Sequence, residues 1–182
     1  MTLSSFIIEV AGIGTLVSHI LIVLFLIALV ARVSIAQKIS KFLTRYAFHL
    51  VFVISSLGAL GSLLFSEFMG FEPCVLCWWG RIFLYPTVII SLISIIRRDK
   101  GIAPYILGLS IPGALVSLYH AYTQLGGFSL TPCTAVGGAC SKIYILEFGY
   151  ISIPMMAFTA FLLIIITMVI KIKHSEKNNL VI

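Results

Sequence analysis

The stretch CVLCWWGRIFLYPTVIISLISIIRR, residues 74–98, decides the fold of this chain. It opens with the pair Cys74 and Cys77, continues through an apolar run from about 81 to 96 and ends on two arginines. Hydrocarbon about 30 Å thick needs roughly 20 apolar residues in a helix, so the span must reach back to include Trp78. The stretch therefore predicts a transmembrane helix with a cysteine pair at one membrane face and basic residues at the other.

The rest of the chain has the same apolar character. Of its 182 residues 60% are hydrophobic and only 10% are charged, and the mean hydropathy is +1.16. A soluble domain of this length would carry more polar surface. Candidate spans lie at about 8–31, 46–66, 81–96, 102–123 and 149–170. We therefore predict an all-α membrane protein with five spans, forming a single membrane domain over residues 1–182.

The first apolar stretch has an alternative interpretation as a cleaved signal peptide. A signal peptide has a basic start and an apolar core of roughly 7–15 residues. Residues 1–8 contain no basic residue, and the apolar run continues well past that length. We therefore expect residues 8–31 to be a retained transmembrane helix.

The distribution of charge predicts the orientation. The chain has a net charge of +6, and ten of its twelve basic residues lie in alternate connecting segments. They are Arg32, Lys38, Lys41 and Arg45 after the first span, Arg97, Arg98 and Lys100 after the third, and Lys171, Lys173 and Lys177 after the fifth. Basic segments stay in the cytoplasm, so we expect the amino terminus outside and the carboxyl terminus inside. The charge then reflects topology and does not indicate nucleic-acid binding.

This orientation places all four cysteines outside the cytoplasm, where disulfides persist. Four cysteines allow three pairings, and pairing within each loop, Cys74 with Cys77 and Cys133 with Cys140, is the most economical. A Cys-x-x-Cys closure is tight and easily reduced. Two glycines inside the second ring let its backbone turn. The pattern favours exchangeable bridges and redox chemistry.

Cys77 falls at the amino terminus of the third span. Free N–H groups and the helix dipole favour an anion there, and Arg81 adds positive charge one turn further on. A thiolate at Cys77 should therefore be stabilised. Because the chain lacks the βαβ framework of thioredoxin-type folds, the electron acceptor must be another group, and the membrane itself supplies quinone.

Two structural interpretations compete with the redox one. The cysteines could form two disulfides that only tie down the outer loops. They could also form a Cys₄ zinc site, although the spacing between Cys133 and Cys140 is wider than usual for zinc ligands and no acidic or histidine cluster accompanies them. We predict no metal.

Polar residues near the same membrane face are candidates for an acceptor site. His120 and Gln124 are four residues apart on one helical face, at the depth of Arg81. They could bind the carbonyl oxygens of a quinone head group; alternatively, Arg81 snorkels to the interface and His120 bonds to a neighbouring helix. His19, near the centre of the first span, is expected to be a neutral histidine hydrogen-bonded between helices.

These motifs together resemble the DsbB family of disulfide-generating membrane oxidoreductases. The resemblance rests on Pro73-Cys-Val-Leu-Cys-Trp-Trp-Gly-Arg81, on Tyr119-His-Ala-Tyr-Thr-Gln-Leu125, on the downstream cysteine pair and on Ile151-Ser-Ile-Pro154. It implies a four-helix transmembrane bundle over 46–170, with 8–31 as an extra amino-terminal helix. The close spacing of the second pair resembles the shorter-loop, BdbC-like branch. Gly80 departs from the polar residue often found before the arginine.

The resemblance implies a function and a role for each site residue. The chain would be a thiol:quinone oxidoreductase that reoxidises a soluble DsbA-like thioredoxin-fold thiol oxidase and so drives disulfide formation. The partner would attack the Cys133–Cys140 bridge at Cys133, and Cys140 would then exchange with Cys74–Cys77. Cys77 would lie nearest the quinone. The residues associated with the quinone would be Arg81, His120 and, in the same motif, Gln124.

The resemblance also implies a location, the bacterial cytoplasmic (inner) membrane, with the cysteine loops outside. The electron acceptor would be the membrane quinone pool, either ubiquinone or menaquinone.

The nearest rival enzyme is a quinone reductase of the vitamin K epoxide reductase type. In that type the Cys-x-x-Cys motif follows the loop pair along the chain, whereas Cys74 and Cys77 come first here. A rival of another class is a non-enzymatic membrane scaffold or small transporter with structural disulfides.

Overall fold

The computed structural model describes residues 3–128, 140 and 142–179, with side chains as far as Ser175. Five long helices dominate this part of the chain. They are α1 (Leu3–Val30), α2 (Ser34–Leu63), α3 (Val75–Arg97), α4 (Ala103–Gln124) and α5 (Ile153–Asn179). A π-helical turn, Leu64–Phe68, extends α2, and a short 3₁₀ turn, Lys100–Ile102, precedes α4. All five helices are long and apolar enough to cross a membrane, which confirms the five predicted spans.

Helices α2 to α5 form a ring in which each packs against its neighbours, α2 against α3, α3 against α4, α4 against α5 and α5 against α2. Helix α1 lies outside this ring and contacts α2 and α5. The predicted fold class, a four-helix transmembrane bundle with one extra amino-terminal helix, is therefore confirmed.

The centre of the ring is filled by large apolar side chains and by hydroxyls that bond within their own helix. Val51, Ile106 and Phe161 are fully buried in the main core cluster. The hydroxyls of Ser110 and Thr87 each donate to the carbonyl oxygen four residues earlier. In hydrocarbon a polar group needs a partner inside the protein, and these bonds supply it.

Four helices begin at places that the apolar pattern did not predict. Helix α1 starts at Leu3 instead of 8, and α3 starts at Val75, before Trp78. Helix α2 starts at Ser34 instead of 46, but its backbone breaks at Tyr46 (φ −105°, ψ 15°), where the predicted span begins. Helix α5 starts four residues after 149. The residues before it form a tight reversal in which Glu147 and Ile151 exchange two backbone hydrogen bonds of 2.9 Å. Phe148 and Gly149 both have positive φ, as a type I′ turn requires.

The ends of the bundle differ in chemistry. The cysteines at positions 74, 77 and 140 lie where α3 begins and α4 ends, whereas basic side chains gather at the other end of the helices. There the ammonium of Lys171 on α5 donates to the Thr44 carbonyl oxygen (3.0 Å), just before the break in α2.

The contact between α4 and α5 yields a test of this packing. A Cβ atom at Gly113 would lie 2.5 Å from the ring of Phe161, whereas one at Gly108 on the same helix meets nothing within 4 Å. We expect Gly113→Ala to lower the free energy of unfolding by about 1–3 kcal/mol through overpacking, while Gly108→Ala has little effect or raises it. Thermal unfolding of the two detergent-solubilised variants measures the difference, and equal unfolding temperatures would contradict the α4–α5 packing.

Candidate active site

The first cysteine pair is fixed by the start of α3. Cys74 is the N-cap residue (φ −77°, ψ 174°), and its sulfur accepts a hydrogen bond from the backbone N–H of Cys77 at 3.4 Å. The two Sγ atoms are 3.1 Å apart, as neighbouring thiols. Cys74 is buried and Cys77 is half-buried. The pair therefore sits at the positive end of a helix, with Cys77 the more accessible sulfur.

His120, in the last turns of α4, connects this pair to the second cysteine loop. Its Nε2 lies 3.5 Å from the Sγ of Cys74 and 3.2 Å from the carbonyl oxygen of Cys140. Because a carbonyl oxygen can only accept, Nε2 carries a hydrogen. His120 is 4% exposed. His120 therefore points a buried N–H group at Cys74 and at the backbone of Cys140.

Cys140 joins the same cluster. It is 2% exposed and packs with Cys74 and Leu76, against Cys77 and Tyr119. The structure thus brings together three of the four predicted cysteines. Cys133 lies outside the described residues, and so does the predicted Cys133–Cys140 pairing.

Three further contacts hold the segment after Cys140 against the end of α4 and the segment before α3. The side-chain Nε2 of Gln124 donates to the carbonyl oxygen of Lys142 (3.0 Å). The ring of Tyr144 stacks on Phe71 with centroids 4.7 Å apart, and its hydroxyl donates to the carbonyl oxygen of Glu72 (3.5 Å). The contacts of Tyr144 join the segment that follows Cys140 to the segment that precedes Cys74, and the Gln124 bond joins it to α4.

Arg81 lies one turn below Cys77 and turns its guanidinium into the protein. Its Nε donates to the hydroxyl of Ser62 (2.9 Å) and its Nη2 to the Ser62 carbonyl oxygen (3.1 Å), both on α2. The guanidinium carbon lies 5.1 Å from the ring centre of Trp78. Only 8% of the residue is exposed. The cation is therefore fixed in position beside the cysteine pair.

A cavity of about 250 Å³ opens below these side chains. Its polar end is lined by Cys74, Cys77, Arg81, His120, Gln124 and Lys142. Most residues of its other walls are apolar, and they come from all five helices and from the segment that precedes α3. Of the six described residues that the sequence predicted for the site, all except Cys140 line this one cavity. The cavity therefore combines a redox-capable pair and a fixed cation with an apolar interior.

The environment of Cys74 decides which sulfur carries negative charge. The hydrogen bond to the Cys77 thiol, together with burial, raises the pKa of the Cys74 thiol to about 12. Cys74 is therefore a neutral thiol at physiological pH. Any negative charge on the reduced pair therefore resides on Cys77, beside the helix amino terminus and Arg81.

The cluster also contains a set of metal-ligand atoms. The side-chain donors of Cys74, Cys77 and His120 all lie within 4.8 Å of one another. Two sulfurs and one imidazole could hold a thiophilic ion such as zinc. This set differs from the Cys₄ site considered from the sequence, because the fold brings a histidine to the pair.

Ser62 is the site residue that sequence reasoning missed. It holds Arg81 through both its hydroxyl and its carbonyl oxygen. The only sequence signal was a serine between apolar residues near the end of the second span, and such serines usually bond within their own helix. Its partner is nineteen residues away in the sequence, so only the packing of α2 on α3 reveals it.

The fold and the site define a helical membrane protein with a buried dithiol above an apolar cavity. The family described as "Disulfide bond formation protein DsbB" matches residues 44–171. The chain belongs to the DsbB family.

Relatives in Bacillus agree with this assignment. The SPbeta prophage-derived disulfide bond formation protein B of Bacillus subtilis (strain 168) is 38% identical, over 74% of this chain and 95% of the relative. The probable disulfide formation protein C 1 of Bacillus cereus (strain ATCC 10987 / NRS 248) is 42% identical, over 71% of this chain and 94% of the relative. The disulfide bond formation protein C of Bacillus subtilis (strain 168) is 45% identical, over 64% of this chain and 85% of the relative. These relatives confirm the predicted BdbC-like branch. No solved structure matches the chain.

The unequal environments of the two thiols predict unequal reactivity. With the protein reduced and near neutral pH, we expect a maleimide to modify Cys77 at least about tenfold faster than Cys74, because the thiolate is the reactive form and Cys74 is buried and protonated. Modification of Cys74 should rise only well above neutral pH, towards its raised pKa. Peptide mass spectrometry after brief labelling measures both rates, with detergent-denatured protein as the control in which they converge. Equal rates in the folded protein would contradict this assignment.

Proposed function

We propose that the chain is a membrane thiol:quinone oxidoreductase that passes electrons from a soluble, DsbA-like thioredoxin-fold thiol oxidase to a membrane quinone, and so drives disulfide formation. The observation that carries the proposal is the position of Cys74 and Cys77, at a helix amino terminus and on the wall of a cavity that runs into the apolar interior. A lipophilic acceptor can meet the dithiol there without leaving the membrane. The names of the Bacillus relatives support the same function.

The first exchange occurs in the second cysteine loop. A thiolate of the partner attacks Cys133 of the Cys133–Cys140 disulfide, and the partner's second thiol then closes its own disulfide, leaving Cys133 and Cys140 reduced. The partner loses two electrons and two protons in this step. The burial of Cys140 against Cys74 supports Cys133 as the sulfur that the partner reaches.

The second exchange moves the electrons to α3. Cys140 attacks the Cys74–Cys77 disulfide at Cys74, its packing neighbour, and Cys77 leaves as a thiolate beside Arg81. Cys133 then attacks Cys140 and releases Cys74. His120, which donates a hydrogen bond towards the Cys74 sulfur, stabilises the negative charge that Cys74 carries as it leaves. The net result is a disulfide at Cys133–Cys140 and a dithiol at Cys74 and Cys77.

The residues around the cavity fit a quinone. A guanidinium has five N–H donors, of which Ser62 takes two, so Arg81 retains donors for a carbonyl oxygen of the head group. The side-chain Oε1 of Gln124 is buried without a partner, and it matches the hydroxyl of a reduced quinol. When bound, the quinone accepts two electrons and two protons from the dithiol and is released as quinol. Ubiquinone and menaquinone both carry the two ring carbonyl oxygens that these contacts would bind.

The proposal includes a location and a domain division. Basic side chains lie at the end of the bundle opposite the cysteines, which supports the bacterial cytoplasmic membrane with the cysteine loops outside and the carboxyl terminus inside. We treat 1–182 as a single membrane domain with its core at 46–170 and an added helix at 8–31. The family match over 44–171 and the peripheral position of α1 support this division.

The order of electron transfer can be tested with cysteine variants. The purified protein, given a reduced thioredoxin-fold dithiol protein and a quinone, should reduce the quinone, and both Cys77→Ser and Cys133→Ser should abolish turnover. Cys77→Ser should still trap the partner as a mixed disulfide through Cys133, whereas Cys133→Ser should not. If wild-type protein reduces no quinone and all four cysteines can be replaced without loss of thiol oxidation in cells, the scaffold interpretation replaces the proposal.

The role of Arg81 can be separated from that of the cysteines. We expect Arg81→Ala to raise the KM for quinone about tenfold or more, because a buried charged donor is lost, while the rate of exchange with the partner stays close to that of wild type. Ser62→Ala should raise the KM less, because one of its two contacts with Arg81 comes from the backbone. Arg97→Ala, at the exposed far end of α3, is the matched control. An unchanged quinone KM in Arg81→Ala would defeat this placement of the acceptor.

A further inference from the structure

Helix α1 covers the groove between α2 and α5 and turns one narrow face towards them. Gly12, Thr15 and Ile22 on this face are buried, whereas most large apolar side chains elsewhere on α1 are exposed. A Cβ atom at Gly12 would lie 3.0 Å from the Cγ of Glu147, so the helix backbone approaches the turn before α5 closely. Helix α1 therefore packs against the four-helix bundle through the face that contains Gly12, Thr15 and Ile22.

Hydrogen bonds of His19 join α1 to α5 and to the turn before it. Its Nε2 lies 2.7 Å from the hydroxyl oxygen of Thr159, and its Nδ1 lies 3.1 Å from the hydroxyl of Tyr150. The Thr159 hydroxyl already donates to the Met155 carbonyl oxygen (2.9 Å), so it accepts from His19. Nε2 therefore carries the hydrogen, and Nδ1 accepts from Tyr150. A neutral imidazole satisfies both bonds, which confirms the expectation of a histidine hydrogen-bonded between helices.

The same part of α1 forms a wall of the cavity below the cysteines. Ile7, Ala11 and Thr15, each four residues apart, line it. Across from them α2 contributes the lining from Leu57 to Ser66, a length of roughly 13 Å at 1.5 Å per residue. Helix α1 thus runs beside the cavity over most of its depth. Without it, the apolar part of the cavity would open directly to lipid.

We propose that α1 is the fifth wall of the acceptor site, that it encloses the apolar tail of the quinone, and that the quinone enters along the seam between α1 and α2. The inference rests on the proposed function. His19 bonds α1 to Thr159 of α5 and to Tyr150 in the turn before it, so the boundary between α1 and α5 is held closed at this level. The quinone therefore enters on the α2 side. The occupant is a quinone because the enclosed apolar space leads to Cys77, Arg81 and the unpartnered Gln124 oxygen.

The proposal predicts that a larger side chain on the cavity-facing side of α1 weakens the binding of quinones with a long tail more than the binding of quinones without one. Ala11→Phe should weaken binding of a long prenyl-tailed quinone at least about tenfold, because it fills space that the tail needs, and should change binding of the tail-less head group less than about twofold. Ala11→Leu should fall between wild type and Ala11→Phe. Val10→Phe, on the neighbouring exposed face, is the matched control and should change neither.

Quinone binding can be measured directly, without following the reaction. The chain has two tryptophans, and Trp78 lies against Arg81, so quenching of tryptophan fluorescence by each quinone gives a dissociation constant. Ubiquinone and menaquinone head groups are each tested with and without a tail. Unfolding temperatures of the variants close to that of wild type establish that they are folded.

His19 is a positioning residue in this arrangement. His19→Phe keeps an aromatic ring but loses both bonds, and Thr159→Val loses one. Both should raise the KM for tailed quinone with little change in kcat at saturation, and the double variant should resemble His19→Phe alone. A purely structural role would lower kcat and the unfolding temperature together.

The outcomes separate the two proposals. Wild type that reduces and binds quinone, with Ala11→Phe indistinguishable from Val10→Phe, overturns the role of α1 and leaves the proposed function standing. Equal loss for tailed and tail-less quinones overturns the assignment of this wall to the tail. Wild type that neither binds nor reduces any quinone overturns both. If the cavity holds a lipid acyl chain instead of a quinone tail, the wild-type protein will neither bind nor reduce quinone.

Discussion

Hydrocarbon offers no hydrogen-bond partner, and the rest of this structure depends on that constraint. Most polar side chains within the spans are therefore bonded to the protein. Ser110 bonds to its own helix, His19 joins α1 to α5, and Arg81 is held by Ser62. These last two contacts do more than satisfy polar groups. Each fixes the position of one helix against another at the level of the cavity.

The site uses the same constraint to make two chemically different cysteines from one short motif. Cys74 is turned inward as the N-cap, where His120 and Cys140 surround it, and its thiol stays protonated. Cys77, one turn on, remains half-buried and faces the cavity. The relay that we propose needs this asymmetry, because one sulfur would meet another cysteine and the other would meet a lipophilic acceptor.

Much of the fold followed from the apolar pattern. The five spans were predicted because continuous apolar runs of this length have few other stable structures in a chain so poor in charge. The start of α5 was placed four residues early, since the turn at Phe148 and Gly149 consists of residues that also suit a helix flank. The helical extension before Tyr46 was missed because its charged residues do not resemble a span, although they form a helix continuous with it.

The sequence by itself determined the number of spans, the end of the bundle at which the cysteines lie and the chemistry of the motif from Cys74 to Arg81, because these depend on composition and on spacing within one helix. Only the tertiary structure decided which residues from different helices meet. It placed His120 against Cys74, Ser62 against Arg81 and α1 along the cavity. Such pairs are joined by helix packing across distant positions, and a single sequence carries no local signal for which face of one helix meets which face of another.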